Sequence, residues 1–68
     1  MSDVIDYRVD MILEYTENVS SFDVYVNGDF YGTDVNKILM NTNDTITVEV
    51  VKTDTNKDSV IKFENKVV

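Results

Sequence analysis

Over residues 4–15 the chain reads V-I-D-Y-R-V-D-M-I-L-E-Y, and alternate positions differ in character. Ile5, Tyr7, Val9, Met11, Leu13 and Tyr15 fall on one side; the other includes Asp6, Arg8, Asp10 and Glu14, with Val4 and Ile12 among them. This alternation predicts a long β-strand with one buried face, because successive side chains of a strand point to opposite sides of the sheet. A helix fits less well, since its apolar stripe would have to take in Arg8 beside Ile5, Val9 and Ile12. On the predicted outer face, Asp6, Asp10 and Glu14 recur every four residues, which an extended chain spaces roughly 14 Å apart.

Residues 17–21 are polar and rich in turn formers, so the chain is expected to reverse there. Phe22, Val24 and Val26 then alternate with Asp23 and Tyr25, Asn27-Gly28 offers the left-handed dihedrals of a tight hairpin, and Asp29-Phe30-Tyr31 returns as a short strand. A two-residue turn pairs Val26 with Asp29, and a three-residue turn pairs it with Phe30; the pattern allows both. Over residues 33–40, Asp34 suits the N-cap of a short helical turn that buries Val35, Ile38 and Leu39, although Lys37 to Met40 also reads as a strand; the helical turn is the preferred reading. Residues 41–44 read as a turn. Ile46, Val48 and Val50 face one way in the following strand, and Ile61, Phe63 and Val67 share a face of the last. Pairing these two as a hairpin sets Val50 against Ile61, Val48 against Phe63 and Glu49 against Lys62. The expected fold is a single all-β domain over residues 1–68, with room for one short helical turn: a small antiparallel sheet or open barrel of about five strands.

The chain has 68 residues, and a domain of this size buries only about 60% of the surface its unfolded chain exposes. A single sheet with a thin core points to a homodimer that covers the apolar face. The sequence contains no cysteine and no histidine, so disulfides, thiolate metal sites and the usual general base are missing from its repertoire. The net charge of −7 is unevenly distributed. Residues 1–36 hold eight carboxylates against Arg8 alone, whereas acids and lysines balance in the remainder. Such a surface repels nucleic acid and anionic lipid and attracts basic proteins or cations. With no basic start followed by an apolar run, and no apolar stretch of about 20 residues, the expected location is cytoplasmic, with no membrane partner.

Asp54-Thr55-Asn56-Lys57-Asp58 matches the opening of a calcium loop, but Ser59 stands in place of the turn glycine and Asn65 in place of the closing Glu, so a solvated loop is expected. The pattern offers no catalytic residues, no metal ligands and no cofactor site, and the chain is expected not to be an enzyme. Val24 to Thr33, V-Y-V-N-G-x-x-x-G-T, followed by T-I-T-V-E-V-V-K, resembles the β-rich PEGA-type repeats of bacterial surface proteins, except that Asp34 replaces their usual proline. That resemblance implies all-β topology.

The acidic strand face, together with the short chain free of cysteine and histidine, resembles the small acidic host-takeover proteins of large lytic Bacillus phages, and among them the DNA-mimicking inhibitors of the bacterial histone-like protein HU. The resemblance implies a phage protein acting in the host bacterial cytoplasm, where it occupies the DNA-binding surface of a basic, HU-like nucleoid protein without itself touching nucleic acid. The candidate partner-binding residues come from the strand pattern: Asp6, Asp10, Glu14, Asp23, Tyr25, Asp29, Phe30 and Asp34. Two other classes fit the same pattern, a small structural β-module of a virion or surface assembly and a metal- or carbohydrate-binding β-domain.

Overall fold

The computed structural model describes residues 8–67, with side-chain surroundings over 10–65. The chain forms six strands: β1 (Arg8–Glu17), β2 (Val19–Val26), β3 (Asp29–Thr33), β4 (Lys37–Asn41), β5 (Ile46–Lys52) and β6 (Val60–Val67). They make two antiparallel sheets of three, sheet A in the order β4-β1-β6 and sheet B in the order β3-β2-β5. The all-β expectation holds. The single five-stranded sheet is replaced by two sheets that are not closed into a barrel. No helix among the described residues is long and apolar enough to cross a membrane.

The sheets cover each other. Phe22 and Val24 of sheet B and Ile38 of sheet A are buried, and Met11, Leu13, Ile61 and Phe63 of sheet A pack with Val19, Val26, Ile46, Val48 and Val50 of sheet B around them. Phe22 meets Phe63 edge to face across the interface, with ring centroids 6.2 Å apart. Fully burying Val24 or Ile38 is worth about 1.5–3 kcal/mol each, so this thin core rests on few residues. Because the apolar faces are covered within one chain, a second copy is not needed to bury them.

Two residues in the left-handed region carry the chain from one sheet to the other. Asn18, at φ 55°, is the only residue between β1 and β2, and Asp34, at φ 54°, follows β3. Asn and Asp enter this region more readily than other residues with a Cβ. The Asn18 side chain also fastens its corner to the β5–β6 loop: Oδ1 accepts the Asp54 N–H at 2.7 Å, and Nδ2 donates towards the carbonyls of Asp54, Lys57 and Asp58 at 2.9, 3.1 and 3.3 Å. The backbone of this loop is thereby fastened to the Asn18 amide. Asp34 does not cap a helix. Its N–H donates to the Phe22 carbonyl at 2.8 Å and its carboxylate accepts the Phe22 N–H at 2.9 Å, and the segment beyond it is the strand β4 rather than a helical turn.

Three further expectations meet the structure differently. The first strand is described from Arg8, so residues 4–7 of its expected span lie outside the described residues. Within it, the register on β6 shifts between Leu13 and Tyr15, which makes Glu14 the extra residue of a bulge. Alternation resets there, and Tyr15, expected inside, is 48% exposed. The second hairpin uses the two-residue turn, with Val26 opposite Asp29, Asn27 at φ 52° and Gly28 at φ 83°. The expected β5–β6 hairpin does not form: β5 pairs with β2, Val50 lying opposite Phe22 and Val48 opposite Val24, while β6 pairs with β1. Seven residues, 53–59, separate the two strands and cross between the sheets.

Candidate partner-binding face

Alternation along β2 sends Phe22, Val24 and Val26 inward and Asp23 and Tyr25 outward. Register then fixes their outer-face neighbours. Asp23 lies between Thr33 and Glu49, and Tyr25 lies between Phe30 and Thr47. Directly opposed residues of an antiparallel pair sit about 5.5 Å apart at Cα when they exchange hydrogen bonds, so Asp23 and Glu49 form a close pair of carboxylates. Like charges in this relation destabilise a sheet. Among the described residues neither has a lysine or arginine partner within ion-pair distance. Hydroxyls satisfy them instead: Thr33 Oγ1 donates to Asp23 Oδ1 at 2.6 Å, and the Tyr25 hydroxyl donates to Glu49 Oε2 at 3.4 Å. Glu49, then loss of solvent, then Asp23 hold the Tyr25 phenol above its usual ionisation range, so it stays a neutral donor near pH 7. Phe30 packs edge to face on Tyr25, with centroids 5.8 Å apart, yet remains 61% exposed.

The candidate residues therefore separate into groups. Asp23, Tyr25 and Phe30 come together on the outer face of sheet B. Asp29 is exposed at the hairpin, opposite Val26, and is not part of the Asp23–Glu49 row. Asp34 is exposed, but its carboxylate is engaged with the Phe22 N–H at the corner. Asp6 lies outside the described residues. Asp10, expected to face water, is buried: it occupies the central strand of sheet A opposite Leu39, its Oδ2 is 3.4 Å from Lys37 Nζ, and its Oδ1 is buried with no hydrogen-bond partner among the described residues. Glu14 is exposed, but the bulge places it 3.8 Å from Lys62 Nζ. The expected row of solvated carboxylates along β1 is thus not present over its described part.

Glu49 is the member of the face that sequence reasoning assigned elsewhere. Its position was legible from the alternation of β5, but its neighbour was not, because matching opposite charges favours Lys62 over Asp23. No group of three or more carboxylates among the described residues is arranged to hold a metal ion. A cleft of about 630 Å³ lies beside the Asn18 corner, with Glu17, Asp54, Lys57 and Asp58 among its lining residues. There the Lys57 ammonium lies 4.0 Å from Asp54, and the loop carbonyls are directed at the Asn18 amide. A scan against protein families and searches of curated proteins and of solved structures found no match, so the functional reading rests on the outer face of sheet B.

Proposed function

We propose that the chain is a non-enzymatic acidic binding module that docks the outer face of sheet B on a basic DNA-binding protein and competes there with the DNA backbone. The observation that carries this reading is the opposed pair Asp23 and Glu49, without cationic partners among the described residues, beside the exposed aromatic pair Tyr25 and Phe30. Duplex DNA presents one negative charge per about 1.7 Å of axis, and paired carboxylates on adjacent strands approach that density better than a row at roughly 14 Å intervals. Aromatic side chains beside the charges supply the desolvated contacts that dominate binding energy. The acidic N-terminal half and the net charge of −7 would steer a cationic partner towards the molecule.

The test is displacement of labelled DNA from HU, and from other basic nucleoid proteins, at low salt. Asp23→Asn with Glu49→Gln is compared with Glu14→Gln and Glu64→Gln, which remove the same charge from sheet A. The sheet B variant is expected to lose at least about tenfold in apparent affinity, or roughly 1.4 kcal/mol, while the sheet A variant stays near wild type. Wild-type binding is expected to weaken as salt rises. Equal impairment of the two variants, or a wild type that displaces no DNA, overturns the proposal and favours a structural β-module.

A further inference from the structure

Among the described residues each sheet leaves two strand edges unpaired, and these four edges differ. On β4 the Leu13 N–H donates to the Asn36 carbonyl at 2.8 Å, which sets the alternation so that Leu39 and Asn41 point their N–H groups away from the sheet. Side chains take up both. The Leu39 N–H donates to the Tyr31 hydroxyl at 3.2 Å, and the Asn41 N–H donates to Asp44 Oδ2 at 2.8 Å. On β3 the edge is five residues long and interrupted where the register shifts past Tyr31. β6 carries the exposed Lys62 within its length, the residue type that discourages edge pairing.

β5 is the least guarded: its one lysine, Lys52, stands at its last position. It runs seven residues, I-T-V-E-V-V-K, with no break in its own succession of partners from Ile46 to Val51. Asn27 N–H donates to the Thr45 carbonyl at 2.8 Å, so the alternation turns the N–H and C=O groups of Thr47 and Glu49 towards β2 and those of Val48 and Val50 outward. Among the described residues no side chain donates to or accepts from them. Val48 and Val50 are half-buried at the open side of the core, Val51 is 57% exposed, and Glu49 on the outer face has Asp23 behind it.

We infer that the β5 edge is a strand-addition site for an extended basic segment of the partner, bound antiparallel, whose apolar residues lie against Val48 and Val50 and whose lysines or arginines pair with Glu49 and Asp23. Strand addition draws affinity from main-chain hydrogen bonds and specificity from alternate side chains. Here the two faces of the edge call for an alternating apolar and cationic sequence. A second copy of this chain is disfavoured, because its own β5 would bring another Glu49 and another −7 of net charge to the same edge. The inference rests on the partner being basic, as proposed above, and adds how it is held.

The test uses a short capped peptide of alternating valine and lysine in three forms: unmodified, N-methylated at the valines, and N-methylated at the lysines. In antiparallel addition the residues opposite Val48 and Val50 are the valines, and their N–H groups face β5. Methylation at the valines is therefore expected to weaken binding at least about tenfold, and methylation at the lysines to leave it near the unmodified value. Amide hydrogen exchange at Val48 and Val50 is expected to slow when the unmodified peptide binds. Equal binding of both methylated forms, or unchanged exchange at Val48 and Val50, overturns strand addition but leaves the basic-partner reading intact if DNA displacement still occurs. Exchange at these residues that slows with protein concentration alone would assign the edge to a second copy and overturn the inference.

Discussion

On the outer face of sheet A, Asp10 and Glu14 lie 3.4 and 3.8 Å from the ammonium groups of Lys37 and Lys62. On the outer face of sheet B, Asp23 and Glu49 lie opposite each other, and among the described residues hydroxyls rather than cations approach them. The two faces belong to strands joined through single corners, and the chain has lysines to place. Sheet A uses its charges to hold strands together, whereas sheet B carries a repulsion that its fold does not require. Opposed like charges are a local rule broken with no structural return among the described residues. The same contrast runs through the apolar residues: Phe22 and Val24 of β2 are buried, while Phe30, one strand away, is turned to solvent beside the carboxylates.

The contrast gives neutralising substitutions opposite signs on the two faces. The largest effect is expected at Lys37→Met, which strands the buried Asp10 carboxylate. Unfolding in urea is expected to show a loss of about 1–3 kcal/mol, the cost of leaving a buried polar group without its partner. A loss no greater than that for removing the exposed Glu14–Lys62 pair, about 0–1 kcal/mol, would erase the distinction between a charge that serves the core and one that does not.

A smaller effect of the reverse sign is expected on sheet B. Asp23→Asn with Glu49→Gln keeps acceptors for the Thr33 and Tyr25 hydroxyls and removes the opposed charges, so the protein is expected to gain about 0.2–1 kcal/mol. That gain is expected to shrink as salt screens the wild-type repulsion. A double variant less stable than wild type at low salt would show that the pair supports the fold after all.

The smallest and most local reading is the ionisation of Tyr25. Its phenol lies above the usual range chiefly because of Glu49, with lesser contributions from loss of solvent and Asp23. Glu49→Gln is therefore expected to move it down towards an ordinary tyrosine, and Asp23→Asn to move it less, as followed by ultraviolet or NMR titration. An unmoved Tyr25 in Glu49→Gln would mean that the two side chains do not meet on this face in solution.

Much of this arrangement was legible in the sequence. The inward valines of β5, the apolar alternation of β2 and the Asn27-Gly28 turn follow from side-chain period and backbone sterics, which are local. What escaped was the partnership of strands. Asn18 and Asp34 read as a reversal and a helix cap because their residue types favour both, and only the three-dimensional outcome shows each acting as a corner between sheets. The bulge at Glu14 was equally silent, since one extra residue leaves composition unchanged while turning Tyr15 outward. Pairing β5 with β6 by charge failed for a more instructive reason. Complementarity of charge favours Glu49 against Lys62, and the structure sets Glu49 against Asp23.

Among the six described strands, only β2 and β3 are neighbours both along the chain and within a sheet. Each remaining ladder joins distant segments, and sheet A cannot be completed until its last strand, Val60–Val67, reaches β1. While β6 is still to be made, a growing chain therefore has one local hairpin available and an unfinished sandwich, with its valine-rich β5 already present. Late closure of non-local ladders is slow and aggregation-exposed. The amide of Asn18, at the β1–β2 corner, finds its acceptors only once residues 54–58 have been made, so this latch shuts just before β6 is added.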